Sequence, residues 1–275
     1  MDNLAENWQK LSLNDREDEN LELSEENSSN EFIMAAKFLT KRALSVGAVI
    51  RTFSPLWQST RGFEVWRAGD HVLLFVFDNK EEVDKILNSA PWSFNKYVVV
   101  LQWYDREVPI RAQKFDTISV WIQVHDISMR FLNHKVAKEL CEGAGLVCRG
   151  NDIIEMDGGS FMRVRVLIDI NKPLNKGRRF FSSQGKQGWV SFKYERLPNL
   201  CYWCGCLSHV DKDCELWIDN EGQLKKEEQA YGSWICAPLF VKGRSPVIKV
   251  PCFYEAKKRR EQMNKEDPTP KSMVV

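Results

Sequence analysis

The sequence lacks any apolar run approaching the roughly 20 residues that a membrane-spanning helix requires. It also lacks a basic and then apolar leader, because its N-terminus is acidic. These absences predict an intracellular protein, in the nucleus or the cytoplasm, without membrane contact. In such a reducing setting the eight cysteines are expected to be thiols or metal ligands rather than disulfides.

Catalytic signatures are also missing. The chain has four histidines, and His71, His125 and His134 have no accompanying nucleophile motif. No P-loop and no paired-aspartate polymerase signature occurs. We therefore expect a protein that is not an enzyme, with these three histidines on the surface or in the core.

The formal net charge of +1 hides an uneven distribution. Residues 1–31 carry ten acids against Lys10 and Arg16, so the remaining residues sum to +9. This split predicts a disordered acidic tail over residues 1–31, attached to a body that attracts a polyanion. A short helix in the tail that docks on a protein partner is the alternative.

Residues 32–110 are predicted to form an α+β domain. Their order suits a ferredoxin-like antiparallel sheet with helices on one face and the other face exposed to stack bases. No RNA-recognition strand pattern occurs, so the tryptophans are expected in the core or at an interface. The predicted elements are a helix (Phe32–Leu44), a strand (Ala48–Phe53), a hairpin (Gly62–Trp66 and Val72–Phe77), a helix capped by Asp78 (Glu81–Leu87) and a strand (Tyr97–Trp103).

Residues 111–197 are predicted to form a second αβ extension. The alternation of Arg163 and Arg165 gives its hairpin one polar face. From residue 218 to 275 the chain is expected to be largely flexible. The predicted elements of the extension are a strand (Ile118–Val124), a helix (Phe131–Leu140) and a hairpin (Val147–Met156 and Met162–Ile170).

A metal-ligand pattern lies in residues 198–217, where Cys201, Cys204, His209 and Cys214 follow the spacing C-x2-C-x4-H-x4-C. Three thiolates and one imidazole form a tetrahedral set suited to zinc, and four protein ligands leave no position open for catalysis. The pattern predicts one structural zinc ion in a zinc knuckle. Four unligated residues that share this spacing by chance are the alternative, and Cys206 is expected to be a spectator.

The four ligands and the flanking segments Val190–Pro198 and Glu215–Trp217 resemble plant retroelement-derived proteins of the gag-like kind, in which a knuckle of this spacing follows a domain of unknown function. The resemblance extends upstream to about residue 32, and it implies a gag-like product that binds zinc and coats its RNA. Ser208 departs from the pattern, since many knuckles have glycine before the histidine. The residues that carry the resemblance are the four ligands, Val190–Pro198, Glu215–Trp217, Ala90–Phe94, Val120–Val124 and Met162–Arg165.

Basic residues and aromatic rings coincide just before this knuckle. Together they predict a contact with single-stranded nucleic acid, RNA preferred, because cations neutralise phosphates and rings stack bases at about 1 to 3 kcal/mol each. The candidate contact residues are Lys172, Lys176, Arg178, Arg179, Lys186, Lys193, Arg196, Tyr202 and Trp203.

Several alternatives stay open for this region. The basic stretch could be a solvated strand-loop-strand, and Trp203 could pack against the zinc loop instead of stacking bases. The main rival function is a zinc-stapled adaptor for protein–protein interaction, and self-association is left open. The run Lys257–Arg260 could be a phosphate-binding arm or a nuclear import signal.

Overall fold

The computed structural model describes residues 31–148, 154–157, 161–181, 185, 187–220 and 223–237. The predicted acidic tail, apart from Glu31, and the run Lys257–Arg260 lie outside these residues. Two antiparallel sheets dominate the described residues, so the chain is α+β as expected. None of the helices in these residues is both long and apolar enough to cross a membrane.

The first unit contains a five-stranded sheet and two helices. Its strand order is β2-β3-β1-β5-β4, with antiparallel pairing throughout. The predicted hairpin, second helix and last strand of this unit are confirmed with small shifts of their ends. The elements are β1 (Phe32–Phe38), α1 (Val46–Trp57), β2 (Glu64–Gly69), β3 (Val72–Phe77), α2 (Lys80–Asn88), β4 (Trp92–Phe94) and β5 (Tyr97–Trp103).

The predictions for the first two elements were wrong, because a strand and a helix were exchanged. The strand β1 is central and is covered on both faces, with Met34 and Ala35 fully buried. Its apolar run therefore matches helical spacing by chance, since a strand buried on both faces does not alternate. In α1 the buried residues Val49, Phe53 and Trp57 lie four apart, beyond the short window that suggested a strand.

Helix capping agrees with side-chain chemistry, although one predicted cap moves. Ser45 caps α1 by accepting a hydrogen bond from the backbone N–H of Ala48. The cap of α2 is Asn79 rather than Asp78, and its side-chain oxygen lies 2.8 Å from the backbone nitrogen of Glu81. Each cap satisfies a backbone donor that the first helical turn leaves unpaired.

The expected exposed face of the first sheet is covered. Helices α1 and α2 pack on one face, whereas Ile33, Leu74 and Val76 on the other lie beneath residues from 104–115. Farther along this second face, Val98 and Val100 join the core of the second unit. Most of the second face of the first sheet is therefore covered, and Trp66, in register with Leu74, stays 43% exposed at its edge.

The second unit contains a six-stranded antiparallel sheet of order β10-β11-β6-β9-β7, with β8 also paired to β9. Val120, Val164 and Phe192 represent the side that faces α3 and the main core. The predicted strand, helix and hairpin of this unit are present. The elements are β6 (Thr117–His125), α3 (His134–Cys141), β7 (Leu146–Val147), β8 (Ile154–Asp157), β9 (Phe161–Asp169), β10 (Gly177–Phe181) and β11 (Gln187–Tyr194).

The arginines expected on a polar hairpin face are buried and structural. Arg163 forms an ion pair with Glu195 at 2.7 Å, with both side chains at least nine-tenths buried. Arg165 donates to the backbone carbonyls of Leu87 and Asn88 at the C-terminal end of α2. Arg165 therefore links the second unit to the first, whereas the Arg163–Glu195 pair stabilises the second unit itself.

The segment that follows the cysteine cluster is better packed than expected. A short helix α4 (Glu215–Asp219) comes first, and residues 223–237 return to the second unit. Tyr231 donates its hydroxyl to Leu174 O at 2.8 Å, and Ile235 is fully buried in the second core. The flexible segment expected from residue 218 is therefore packed in this part, and residues 238–275 lie outside the described range.

Candidate metal centre and polyanion-binding surface

The four predicted ligands converge in space. One ligand atom from each of Cys201, Cys204, His209 and Cys214 lies within 4.8 Å of the other three. A tetrahedral zinc site with Zn–S bonds of about 2.3 Å requires ligand atoms about 3.6 to 3.8 Å apart, so the cluster fits the ion after small side-chain adjustments. The donor set and its arrangement are consistent with zinc binding.

The backbone of the cluster forms a tight turn that only glycine suits. Gly205 adopts φ +81°, and its N–H donates to Cys201 O at 2.8 Å. A Cβ atom at Gly205 would lie 2.2 Å from the ring of Tyr231, which packs directly over the turn. Both the left-handed backbone and the close ring therefore require glycine here.

Neighbouring polar groups orient the candidate ligands. Ser208 Oγ lies 3.3 Å from His209 Nδ1, so the ring's other nitrogen, Nε2, is directed towards Cys204 Sγ at 3.2 Å. Asp211 accepts from the backbone N–H of Tyr202 at 2.7 Å. Such contacts fix the orientation of an imidazole ligand, and Ser208 thus has a positioning role that glycine could not provide.

Burial makes the cluster unfavourable for isolated thiolates. Burial raises the pKa of Cys201 well above its usual value. It also raises the pKa of Cys204 to about 11, against the lowering effect of the hydrogen bond from Cys206 N–H. Buried thiolates need a cation to compensate their charge, which is what zinc supplies when it is bound.

Cys206 lies inside the loop but outside the ligand set. Its side chain is nearly buried and its thiol donates to Asn171 O at 3.4 Å. The four-residue cluster does not include it. Cys206 therefore contacts the second unit through Asn171 and stays outside the ligand set, although its side chain also lies within hydrogen-bonding reach of Cys204.

The knuckle is anchored to the second sheet. The backbone nitrogens of Leu207 and Ser208 both donate to Ile170 O, at 3.0 and 3.2 Å. Leu174 N donates back to Gly205 O at 2.9 Å, and Leu200 and Leu207 are buried in the second core. The knuckle therefore packs directly on the second sheet and is not a separate domain joined by a linker.

The aromatic residues of the knuckle pack inwards. Trp203 is only 8% exposed, and it stacks on Trp217 with ring centroids 5.1 Å apart. Tyr202 is partly buried against the second core, and its backbone O accepts from Tyr231 N. For Trp203 the packing alternative is therefore the one that the structure shows.

Three of the predicted cationic contacts have local structural partners. Arg178 donates to the carbonyls of Glu139 and Leu140, so it caps the C-terminal end of α3. Lys172 pairs with Asp169 at 3.2 Å on the surface. Arg196 reaches the carbonyl of Ser89 at 3.4 Å, at the junction between the units.

Three other predicted cations lie around the open face of the second sheet, which is the face opposite α3. Arg179 is in register with Trp189, and Lys193 follows on the same side of β11. Lys176 lies beside them, with its Nζ 4.6 Å from the centroid of the Tyr231 ring. Lys186 lies outside the described residues.

A groove of about 590 Å³ runs across this open face. Trp189 and Trp234 line it and are 48% and 53% exposed. His125 and Lys193 lie beside them, and Asp126 is the acidic residue in the lining. Burial, followed by the positive charge of Lys193, lowers the pKa of His125.

Sequence reasoning missed Trp234 and did not place the half-buried His125 in this groove. Trp234 follows Trp189 by 45 positions and has no basic neighbours in the sequence. Only the packing of Tyr231 and the pairing of Cys236 with Tyr194 bring it to the sheet. No local pattern could have found this residue.

Comparisons with known proteins agree with the geometry of the cluster. A family model described as a zinc knuckle matches residues 168–216. A second model, a domain of unknown function designated DUF4283, matches residues 26–110. The zinc-knuckle match begins at the end of β9, which agrees with the anchoring of the knuckle to this sheet.

The chain is also similar to an Arabidopsis thaliana protein described as the uncharacterized protein At4g02000. The two are 24% identical over 136 residues, which is 47% of this chain and 41% of that protein. The chain therefore matches less than half of that relative's length.

Proposed function

We propose that this protein binds single-stranded nucleic acid, RNA in preference to duplex, through a surface held in place by one structural zinc ion. The observation that carries the proposal is the convergence of Cys201, Cys204, His209 and Cys214 within 4.8 Å. The match to the zinc-knuckle family supports zinc-dependent nucleic-acid binding at a general level.

The charge and ring content of the adjoining hairpin support the choice of a polyanion. Arg179 and Lys193 lie on the same side of the sheet as the exposed ring of Trp189. Cations release counterions from phosphates, and exposed rings stack on unpaired bases without strong sequence preference. A recognition helix for the major groove is not part of this surface, which favours single strands over duplex.

The proposed role is non-catalytic. Four protein ligands would fill the coordination sphere of the ion, so no position would remain for water or substrate. The zinc ion would supply structural stability to the knuckle and hence to the contacts that the knuckle makes with Ile170 and Leu174.

We also propose that the chain derives from a gag-like retroelement protein and works inside the cell, in the nucleus or the cytoplasm. The order of the DUF4283 match and the knuckle match supports this origin. The first unit is proposed to follow the ferredoxin-like plan, because the strands β2-β3-β1-β5 and the two helices on one face have its order.

The proposal is tested by native mass spectrometry with and without a chelator, followed by fluorescence anisotropy with a labelled 12-nucleotide RNA. We expect one zinc ion per chain, and a loss of RNA affinity in the chelated protein that returns when zinc is added back. A native chain without zinc, or equal affinities with and without the ion, contradicts the proposal.

A salt titration separates this function from that of a protein-interaction adaptor. Nucleic-acid affinity should fall with salt at a log–log slope of about −0.7 per neutralised phosphate. The double reversal Arg179→Glu and Lys193→Glu should flatten that slope, while reversal of the exposed Lys80 in α2 should leave it unchanged. An RNA affinity independent of salt and of these charges favours the adaptor.

A further inference from the structure

The groove on the open face of the second sheet has two aromatic walls of different origin. Trp189 belongs to β11, and its indole lies across the backbone of Gly177 in β10, where a Cβ atom would lie 2.5 Å from the ring. Trp234 belongs to the short 3-10 turn Ser233–Ile235. Two rings with about half their surface exposed thus line one groove.

Residues 231–237, which carry Trp234, are held in place by contacts at both ends of the segment. On one side, Tyr231 N donates to Tyr202 O, and the Tyr231 ring packs over Gly205 of the knuckle. On the other side, Cys236 pairs with Tyr194, and Ala237 N donates to Tyr194 O at 2.8 Å. The position of Trp234 therefore depends on both the knuckle and the sheet.

The charges around the groove suit phosphates. Lys176 and Lys193 line it, Arg179 lies in register with Trp189, and Asp126 is the acid among the lining residues. Gln123 orients His125, because its side-chain oxygen Oε1 lies 3.0 Å from His125 Nε2. The side-chain amide nitrogen of Gln123 donates to Glu195 at 2.7 Å. The groove thus combines a rigid floor with cations and exposed rings.

The knuckle is the weaker surface for direct contact. Trp203 is covered by Trp217, and between Cys204 and α4 only Lys212 balances the two acidic residues Asp211 and Asp213. Asp213 already pairs with Lys41 of the first unit at 3.0 Å. A surface with net negative charge and a covered Trp203 ring attracts a polyanion less than the basic groove does.

From this contrast we propose that the groove between Trp189 and Trp234 is the base-stacking site for single-stranded nucleic acid, with the knuckle acting as the clamp that positions its Trp234 wall. This inference rests on the proposed function and assigns its contact surface. The occupant is a single strand because its unpaired bases can lie against the rings while its phosphates meet Lys176, Arg179 and Lys193.

The test compares full-length variants by anisotropy with a labelled 12-nucleotide oligo(U) RNA. Trp189→Ala and Trp234→Ala should each weaken binding about tenfold, which corresponds to the loss of one stacked base. Trp189→Phe should retain most of the affinity. Trp66→Ala is the matched control, because Trp66 is also exposed but belongs to β2 of the first unit.

Two controls accompany the binding measurements: one checks that the variants stay folded, and the other uses a strand without bases. The zinc content of each variant should equal that of the wild type and the thermal unfolding should change only slightly, since both rings are about half exposed. An abasic oligonucleotide of the same length should bind wild type and Trp234→Ala equally, because it has phosphates but no bases to stack.

The outcomes are distinguishable. If wild-type protein binds RNA but both alanine variants bind within twofold of it, the assigned groove is wrong and the proposed function stands. If the wild type binds neither RNA nor single-stranded DNA, the proposed function itself fails. If the alanine variants lose as much affinity for the abasic strand as for the RNA, the groove recognises charge alone. That result overturns the base-stacking proposal.

Discussion

The two sheets differ in how much of their surface the rest of the protein covers. The first sheet has α1 and α2 on one face, and residues 104–115 with the second unit on the other. The second sheet has α3 and the anchored knuckle on one face, while its other face retains the groove with Trp189 and Trp234. An antiparallel sheet needs only one buried face for stability, so the second sheet can use its other face for binding.

This difference assigns separate roles to the two units. The first unit uses its second face to join the rest of the protein, through Val98 and Val100 and through the carbonyls that receive Arg165. The second unit holds the metal cluster, the basic hairpin and the groove with the exposed rings of Trp189 and Trp234. We therefore expect substitutions in the first unit to change stability, and substitutions on the open face of the second to change binding.

The largest effect is expected from Cys214→Ser. Zinc binding to short knuckles contributes about 10 to 16 kcal/mol, so removal of one ligand should abolish zinc retention and release the knuckle. Because Leu200 and Leu207 belong to the second core, hydrogen exchange should rise in β9 and β11 more than in β1 and β3. Mass spectrometry measures both zinc content and exchange.

The control for that experiment is Cys148→Ser, since Cys148 lies outside the ligand cluster. It should retain zinc and the wild-type exchange pattern. Equal exchange in both sheets after Cys214→Ser would contradict the stronger coupling of the knuckle to the second unit than to the first.

The next effect is expected from Arg163→Met. This change leaves Glu195 as a buried, unpaired charge, and such losses cost about 3 to 5 kcal/mol. Urea unfolding measures the free energy of unfolding. The exposed pair Lys135–Glu139 is the matched control, and Lys135→Met should change that energy by less than about 0.5 kcal/mol. Similar losses in the two variants would show that Arg163 is not effectively buried.

The smallest change in stability is expected on the open face. Leu74→Ala removes a side chain from the covered face of the first sheet and should lower the free energy of unfolding by about 2 to 5 kcal/mol. Trp189→Ala removes a larger, half-exposed ring and should lower it by less than about 1 kcal/mol. The same urea titration measures both losses. A larger loss for Trp189→Ala than for Leu74→Ala would contradict the claim that the first sheet is covered where the second is open.

The zinc site was predictable from the sequence, whereas the contact surface was only partly so. Four ligands within fourteen residues close a local site whose geometry depends on the spacing and on the turn at Gly205. Trp203 and Trp189 are both tryptophans within the region that carries the candidate contacts, and the sequence does not show which ring is exposed. Only the position of Trp217 over Trp203 shows which ring is covered.

The wrong prediction for the first two elements, β1 and α1, has a similar cause. The pattern in β1 depends on what covers the two faces of the sheet, and residues 104–115, which cover one of them, come about 70 positions later in the chain. Local spacing has no access to such distant contacts. The later strands β3, β5 and β6 were predictable because their β-branched and aromatic content agrees with their final position.

The most direct test of the account is hydrogen exchange of the zinc-loaded protein with and without a saturating oligo(U) RNA. We predict that the RNA protects the open-face strands β10 and β11 and the segment 231–237, with little change in residues 206–214 of the knuckle. Protection confined to the knuckle, with the hairpin unchanged, would contradict the assignment of the binding surface to the second sheet.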